Sequence, residues 1–169
     1  MATGTGLAIR VGIGRDSHPF GPGDGLRLGG IDIDAAPRLH GHSDGDVALH
    51  AIAGALLEAS ALGDLGRLFP ADARTQRGVA SRGLLEAVVG LLATEGWRPA
   101  SVGVALTAGR PWLGPRLDEM RLAIAGLVGL DPAVVSVEAS TGNRSGDEGA
   151  GRAISAIAIS TIVPLGGEA

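Results

Sequence analysis

A chain of 169 residues is long enough for one domain with a buried core and short for two domains of ordinary size. Its net charge of −4 excludes a general electrostatic grip on nucleic acid, and its 45% hydrophobic and 19% charged residues exclude a disordered chain. All 14 basic residues are arginines and no cysteine is present, so lysine Schiff-base chemistry, thiolate catalysis and cysteine-ligated metals are excluded as well.

The first predicted elements are extended. From Leu7 to Ile13 apolar residues alternate with smaller or polar ones, which is the period of a strand with one buried face. Residues 19–25 are rich in proline and glycine and predict a loop. The next residues, Leu26–Ile33, are interrupted by Gly29 and Gly30 and predict a hairpin or a bulged pair of strands.

The clearest predicted helix begins at Ser43 and ends at Gly63. Ser43 can cap this helix, and the carboxylate of Asp46 can reach back to the amide of the cap. Apolar residues at helical spacing predict two further helices over 81–96 and Leu117–Val128. The remaining predicted strands are Val102–Ala108, Val134–Val137 and Ala153–Val163. This alternation predicts a single α/β domain over residues 1–169, with a mixed sheet covered by helices.

Two features of the sequence bear on location. The first ten residues lack the charged and apolar regions of a secretion signal. The apolar stretch Ala153–Val163 is much shorter than the roughly 20 residues that a membrane span needs. We therefore expect a cytoplasmic protein with no membrane partner.

The histidines suggest a metal centre. Asp16 and His18 lie two positions apart near the end of the first strand, so both side chains project to the same side if the strand continues. His50 lies about one helical turn after Asp46, where a neighbouring strand can bring it against this pair. Two imidazoles and one carboxylate with an open position are typical of catalytic zinc. The same spacing also suits a hydrogen-bonded loop and a packed or capping histidine, and both readings remain open.

A second cluster surrounds the start of the predicted helix. Residues 40–50 contain three histidines and two aspartates, and His42 and Ser43 stand just before the helical turns. Exposed N–H groups at a helix N-terminus attract anions, so His42 and Ser43 are candidates for binding a phosphate beside the metal. The alternative is a capped helix with solvated polar residues.

Four segments, in the same order along the chain, resemble the 2-C-methyl-D-erythritol 2,4-cyclodiphosphate synthase family: Val11–His18, His42–Ala51, Leu62–Pro70 and Arg110–Pro115. The resemblance implies a ferredoxin-like α/β protomer in a homotrimer, with active sites between neighbouring subunits. It also implies a phosphorus–oxygen lyase of non-mevalonate isoprenoid biosynthesis. In that reaction the 2-phosphate of a CDP-linked methylerythritol attacks the β-phosphorus, CMP leaves and a cyclic diphosphate forms.

By position, the resemblance also implies roles for individual residues. It assigns Zn²⁺ to Asp16, His18 and His50, in agreement with their spacing, and transition-state stabilisation to His42 and Thr141. The methylerythritol phosphate end of the substrate is implied to contact Ser43, Asp64, Gly66 and Phe69. The implied cytidine pocket comprises Ala108, Arg110, Pro111, Trp112, Leu113, Ser140 and Thr141. A second ion, Mg²⁺ or Mn²⁺, is implied to bridge the diphosphate near Asn143.

Four positions depart from the family's pattern. Gly54 stands where the family usually has an acidic residue, and Trp112 stands where it has a lysine. Trp112 either stacks on a base or covers its loop. Asn143 replaces the acid that binds the second metal, and Ala150 replaces an arginine. A neutral amide oxygen binds Mg²⁺ or Mn²⁺ more weakly than a carboxylate does.

Charged residues near Asn143 offer replacements for the two lost groups. Asp147 or Glu148 can compensate for the missing acid, and Arg144 or Arg152 for the missing arginine. The alternative is that all four are solvated residues of a glycine-rich loop.

The sequence therefore leaves three hypotheses. The first is an active cyclodiphosphate synthase, and the second is a diverged paralogue that acts on another CDP-linked polyol. Both predict release of CMP. The third is a non-catalytic protein that binds a nucleotide or an isoprenoid intermediate, and it predicts binding without turnover. The open position in the predicted zinc site favours catalysis, because structural zinc sites usually fill all four positions with protein ligands. Which ligand, if any, occupies the trimer centre stays open.

Overall fold

Five strands and five helices follow one another along residues 8–166, the part of the chain that the computed structural model describes. The strands are β1 (Arg10–Leu28), β2 (Ile31–Leu39), β3 (Trp97–Ala108), β4 (Val135–Ser140) and β5 (Ala153–Pro164). The helices are α1 (Val47–Ser60), α2 (Leu65–Leu68), α3 (Ser81–Thr94), α4 (Leu117–Val128) and α5 (Gly146–Gly149).

The strands form one mixed sheet in the order β2-β1-β5-β3-β4. β3 and β4 run parallel and are joined through α4, whereas every other neighbouring pair is antiparallel. The predicted mixed α/β architecture is therefore confirmed. β5 lies between β1 and β3, which is the split arrangement that ferredoxin-like folds also contain. The parallel β3/β4 pair is not part of that arrangement, and the ferredoxin-like label for the whole domain stays a prediction.

The sheet has one covered face and one open face. Alternate residues such as Ala156 and Ala158 of β5 are buried in the same hydrophobic cluster as helix α1. The intervening side chains point the other way and stay exposed: Val11 is 63%, Ile13 57%, Ile157 50% and Ile159 52% exposed. The described residues thus carry an open apolar surface on β1 and β5, which we call the outer sheet face. No helix within residues 8–166 is long and apolar enough to cross a membrane.

The first strand differs from its prediction in length. Leu7 lies outside the described residues, and β1 continues through the predicted loop at 19–25 as far as Leu28. The cause is pairing with β2, which begins at Phe20↔Leu39 and ends at Leu28↔Ile31. Two register shifts absorb the glycines and the proline within this segment. The hairpin predicted around Gly29 and Gly30 is confirmed.

The start of α1 corrects a second prediction. The N-cap is Asp46 and not Ser43, because the Asp46 carboxylate accepts the N–H groups of Ala48 and Leu49. The same carboxylate accepts the N–H groups of Gly29 and Gly30 at 2.9 and 2.8 Å, and so ties the β1–β2 turn to the helix. Burial raises the pKa of Asp46, and the surrounding main-chain N–H groups oppose that shift.

The other boundaries differ by a few residues. α1 ends at Ser60 with Ala61 in a left-handed C-cap, earlier than the predicted Gly63, and α3 ends at Thr94 rather than at residue 96. α4 has its predicted bounds. β3 begins at Trp97, before the predicted Val102, because its first residues pair with the end of β5.

Two glycines of β1 place α1 against the sheet. A Cβ atom at Gly14 would lie 1.9 Å from the carbonyl oxygen of Ala51, and one at Gly12 would lie 2.0 Å from that of Ala55. Only glycine permits this approach, because any side chain would collide with the helix backbone. His50 precedes Ala51, so the same close packing brings the N-terminal turn of α1 to the Asp16 side of β1.

Candidate active site

The two elements that pack through Gly14 bring three predicted ligands together. Asp16 Oδ2 lies 3.0 Å from His18 Nε2 and 2.7 Å from His50 Nδ1. One potential ligand atom from each residue falls within 4.8 Å of the other two. All three side chains are partly buried, with 27%, 21% and 11% exposure for Asp16, His18 and His50.

Hydrogen bonds and opposite charges hold these three side chains together. Burial by itself would raise the pKa of Asp16, but hydrogen bonds from His18 and His50 and their positive charges outweigh it and hold the pKa well below its usual range. The hydrogen bond to Asp16 raises the pKa of His18, against the effect of burial. Asp16 is therefore an ionised carboxylate at neutral pH, which is the form that ligates a cation.

The donor set fits a divalent metal ion of intermediate softness. Two imidazole nitrogens and one carboxylate oxygen suit zinc better than Mg²⁺ or Ca²⁺, which prefer oxygen ligands alone. With three protein ligands a tetrahedral ion keeps a fourth position for a substrate atom. Among residues 8–166 this is the only group of three such side chains close enough to share an ion.

A cavity of about 140 Å³ opens beside this group. His42, Ser43, Gly66 and Phe69, all predicted site residues, line it together with His18 and His50. His42 is oriented by a 2.8 Å hydrogen bond between its Nε2 atom and the carbonyl oxygen of Thr75. Apolar side chains form much of the remaining wall: Leu65, Val79 and Leu84.

Asp64 is the predicted contact that does not line this cavity. Its side chain caps α2 by accepting the N–H of Arg67, and it also pairs with the Arg67 guanidinium at 3.0 Å. Its place is therefore structural in this conformation, since it fixes the short helix whose residues Leu65 and Gly66 form the cavity wall.

A second cavity, of about 220 Å³, lies at the carboxyl ends of the parallel strands β3 and β4. Ligands commonly bind at this end of parallel strands. Most residues of the predicted cytidine pocket line it: Ala108, Pro111, Trp112, Leu113, Ser140 and Thr141. Trp112 is 84% exposed and Gly114 lies beneath it, where a Cβ atom would be 2.9 Å from the indole Nε1.

Arg110 is turned away from the second cavity. Its guanidinium lies 4.8 Å from the centre of the Phe20 ring, and its Nε donates to the carbonyl oxygen of Gly151 at 2.8 Å. His18 and Ala108 both pair with Ile154 of β5, so the two cavities open at the same end of the sheet. The two cavities share no lining residue. Phe20 lies two residues after His18 in β1, and Arg110 lies two residues after Ala108 in the loop that follows β3.

The loop around Asn143 does not form a second metal group. Asn143 is exposed and, together with Gly142 and Arg144, adopts the left-handed conformation, with φ values of 54°, 57° and 59° respectively. Asp147 is paired with Arg152, and Glu148 Oε1 accepts a hydrogen bond from Ser17 Oγ at 3.4 Å. Ser17 points to the face of β1 opposite Asp16 and His18 because strand residues alternate. Neither acid is therefore directed toward the group formed by Asp16, His18 and His50.

Two residues that the sequence analysis did not select as site residues support His50: Ser81 contacts it directly, and Asp44 acts through Ser81. Ser81 Oγ lies 2.8 Å from His50 Nε2 and also hydrogen-bonds to the carboxylate of Asp44. Ser81 is 31 positions from His50 and 37 from Asp44. No spacing rule covers such separations, so only the packing of α3 against α1 reveals this contact.

Comparison with known proteins gives a consistent result. A model of the YgbB family matches residues 9–163. The 2-C-methyl-D-erythritol 2,4-cyclodiphosphate synthase of Symbiobacterium thermophilum is 43% identical over 152 residues, which are 90% of this chain and 97% of that protein. A bifunctional enzyme IspD/IspF of Anaeromyxobacter dehalogenans is 43% identical over 159 residues. That match covers 94% of this chain and 41% of the relative, so the chain spans less than half of it.

Solved structures show the same likeness. The bifunctional IspDF from Campylobacter jejuni superposes with a TM-score of 0.89 at 28% identity, over 94% of this chain and 43% of the other. The Plasmodium falciparum IspF in complex with CDP superposes with a TM-score of 0.80 at 26% identity, over 95% of this chain and 99% of the other.

Proposed function

The chain belongs to the YgbB family, and from that premise we propose that it is a cytoplasmic, zinc-dependent 2-C-methyl-D-erythritol 2,4-cyclodiphosphate synthase of non-mevalonate isoprenoid biosynthesis. The observation that carries the proposal is the Asp16, His18 and His50 group beside a cavity that contains His42 and Ser43. The substrate is CDP-methylerythritol 2-phosphate. An oxygen of its 2-phosphate forms a bond to the β-phosphorus, the bond between that phosphorus and the CMP oxygen breaks, and no water is consumed.

The metal ligands supply one end of the site. Asp16, His18 and His50 would hold Zn²⁺, which as a Lewis acid stabilises negative charge on phosphate oxygens. His42 and Ser43, which line the adjacent cavity, would donate hydrogen bonds to the same phosphate. Because phosphoryl transfer depends mainly on positioning and on charge stabilisation, these fixed donors are the chain's main contribution.

The second cavity would hold the CMP part of the substrate. Ala108, Pro111 and Leu113 would contact the base and ribose, and Ser140 and Thr141 would donate hydrogen bonds, with Thr141 next to the reacting phosphates. Trp112, exposed at the rim, offers a flat surface on which cytosine can stack. A second ion, Mg²⁺ or Mn²⁺, would neutralise the diphosphate, and the amide oxygen of Asn143 is the side chain proposed to reach it.

The outer sheet face supports a homotrimer. Val11, Ile13, Ile157 and Ile159 present a contiguous apolar surface on two adjacent strands, of the kind that marks a protein interface. Symmetric association of three copies would cover this surface. It would also bring the metal group of one copy toward the second cavity of a neighbour, which suits two cavities that do not share a wall within one chain.

The test incubates the protein with CDP-methylerythritol 2-phosphate, zinc and magnesium, and measures the released CMP by chromatography. The proposal predicts release by the wild-type protein and none from an analogue that lacks the 2-phosphate, because the nucleophile is then missing. Equal release from both compounds would indicate hydrolysis and contradict cyclisation.

A diverged paralogue is the second candidate, and the exposed Asn143 and Trp112 favour it, since both depart from the family's pattern at the substrate end. Release of CMP from another CDP-linked polyol phosphate, but not from the methylerythritol compound, would support this candidate. Tight binding of CMP without release from any of these compounds would instead support a non-catalytic binding protein.

A further inference from the structure

His50 has a second set of contacts on the side of its ring that faces away from Asp16. Its Nδ1 atom is 2.7 Å from Asp16, and its Nε2 atom is 2.8 Å from Ser81 Oγ and 3.1 Å from Ser43 Oγ. Ser81 Oγ in turn is hydrogen-bonded to Asp44 Oδ1. The described residues thus form a continuous chain from Asp16 through the imidazole and the Ser81 hydroxyl to the Asp44 carboxylate.

The chemistry of these groups fixes the direction of the hydrogen bonds. An ionised carboxylate only accepts, so the single Ser81 proton must point to Asp44. Ser81 Oγ then accepts from His50, which requires the proton of a neutral ring to be on Nε2. With Nε2–H held in this way, a metal ion displaces the proton that Nδ1 shares with Asp16 in the metal-free protein, and the Nδ1 lone pair then faces the metal position.

Main-chain hydrogen bonds also hold Ser81 and Asp44 in place. Ser81 is 1% exposed, and its main-chain N–H donates to Asp44 Oδ2 at 3.1 Å at the start of α3. The N–H of Asp44 donates to the carbonyl oxygen of Val79 at 3.1 Å. Ser43, in contrast, accepts the N–H of Gly45 and lines the first cavity, so its hydroxyl remains available to a substrate phosphate.

We propose that Ser81 and Asp44 are positioning residues that hold His50 in the Nε2–H tautomer and orient its Nδ1 atom toward the zinc ion. This inference rests on the proposed function, because it concerns the metal that the Asp16, His18 and His50 group would bind. Outer-shell hydrogen bonds of this kind affect metal affinity by about 10- to 100-fold.

The experiment measures zinc affinity of the full-length, metal-depleted protein by competition with a chromophoric chelator, in the absence of substrate. Ser81→Ala and Asp44→Asn should each weaken zinc binding by about 10-fold or more. The two residues act in series, so the double variant should bind zinc no more weakly than Ser81→Ala. Ser81→Thr, which keeps the hydroxyl, should recover most of the loss.

Ser60→Ala is the matched control. Ser60 is also a buried serine, on α1, but its hydroxyl donates to the carbonyl oxygens of Leu56 and Leu57 within the helix. Its removal should leave zinc affinity unchanged. A Ser81→Ala protein that binds zinc as tightly as Ser60→Ala would overturn the proposal, and so would fully additive losses in the double variant. If Ser81→Ala does not fold, the zinc affinity of Asp44→Asn is compared with that of Ser60→Ala instead. Equal affinities of these two variants would overturn the proposal.

A second readout is independent of affinity. The chain has only four histidines, so the imidazole region of a ¹H–¹⁵N NMR spectrum of the zinc-loaded protein is simple. We expect a slowly exchanging Nε2–H signal for His50 that is lost or exchanges rapidly in Ser81→Ala. A His50 signal from Nδ1–H would contradict the proposed tautomer. A wild-type protein that binds no zinc would overturn the proposed function itself, which distinguishes that failure from failure of the positioning role alone.

Discussion

The metal group and the second cavity occupy the same end of one sheet, but they are stabilised differently. Asp16, His18 and His50 hydrogen-bond to one another and are supported by buried serines behind the ring of His50. In the second cavity, by contrast, Trp112, Ser140 and Thr141 are exposed. The first region is organised before any ligand binds, whereas the second presents side chains that only a ligand or a neighbouring copy would cover.

This difference matches the two roles that the proposed function assigns to these regions. A phosphoryl-transfer centre benefits from donors that do not reorganise during the reaction. A nucleotide pocket can instead gain affinity from a flat, exposed ring that becomes buried on binding. We therefore expect substitutions in the group formed by Asp16, His18 and His50 to affect stability and turnover, and substitutions near Trp112 to affect nucleotide affinity.

Gly14→Ala should have the largest effect on the region around Asp16, His18 and His50. The new Cβ atom would lie 1.9 Å from the Ala51 carbonyl oxygen, so β1 and α1 must separate and the distance between Asp16 and His50 must grow. We expect a loss of about 3 kcal/mol or more in the free energy of unfolding, measured by denaturant titration, because overpacking against backbone relaxes poorly. Gly90→Ala in α3, where no atom lies within 4 Å of the added Cβ, should instead be neutral or slightly stabilising.

Asp16→Asn tests the metal group without changing its shape. The amide has no negative charge for the metal and cannot pair with a protonated His18 in the same way. Turnover at saturating substrate should fall by more than about 100-fold, since outer-shell groups alone can be worth that much. Asp147→Asn, which affects an exposed carboxylate paired with Arg152, is the control and should retain most of the activity. Similar losses in both variants would argue against a special role for Asp16.

Trp112→Ala addresses the second cavity. Stacking of a base on an aromatic side chain contributes about 1–3 kcal/mol, so affinity for CMP should fall by about 5- to 150-fold while zinc affinity is unchanged. The chain has two tryptophans and no tyrosine, so fluorescence reports this directly. In a Trp97→Phe protein, CMP should quench the remaining signal from Trp112. Unchanged fluorescence on CMP binding would mean that Trp112 only covers its loop.

The smallest expected effect is the pH dependence of the metal-free protein. The folded pKa of Asp16 lies below its ordinary value of 3.8, so its contribution to stability is present above that pH and is lost as the pH falls toward the folded pKa. The folded pKa of His18 lies above 6.5, so its contribution is complete below 6.5 and is lost as the pH rises through the folded value. The contribution of this pair to the free energy of unfolding should therefore be greatest between pH 3.8 and pH 6.5.

Asp16→Asn provides the control for this pH profile. Removing the carboxylate should abolish both shifts, so the variant should be less stable in that interval and show a flatter profile. A wild-type profile that parallels that of Asp16→Asn at every pH would contradict the proposed pairing.

The sequence predicted the grouping of Asp16, His18 and His50 because the signals for it are local. Asp16 and His18 are two positions apart on a strand, and His50 lies in the first turn of a clear helix. The prediction that Ser43 caps α1 was wrong, because serine and aspartate are both favourable N-cap residues and local rules do not choose between them. The decisive contacts of Asp46 are with Gly29 and Gly30, on a turn that local rules do not connect to the helix.

Other features depended on tertiary contacts. Residues 19–25 have the composition of a loop, yet pairing with β2 makes them strand, with register shifts that accommodate the glycines. Ser81 and Asp44 meet His50 only because α3 packs against the start of α1. The family pattern at Asn143 and Ala150 did not predict that Asp147 pairs with Arg152, or that Glu148 contacts Ser17.

Phosphorus NMR of the zinc-loaded protein with CDP-methylerythritol 2-phosphate and magnesium tests the central claim most directly. The account predicts that the 2-phosphate monoester signal disappears together with the CDP signals, while CMP and two coupled signals of a cyclic diphosphate appear. If the zinc-loaded protein leaves the spectrum unchanged, or if CMP appears while the 2-phosphate signal persists, this chain does not catalyse the cyclisation.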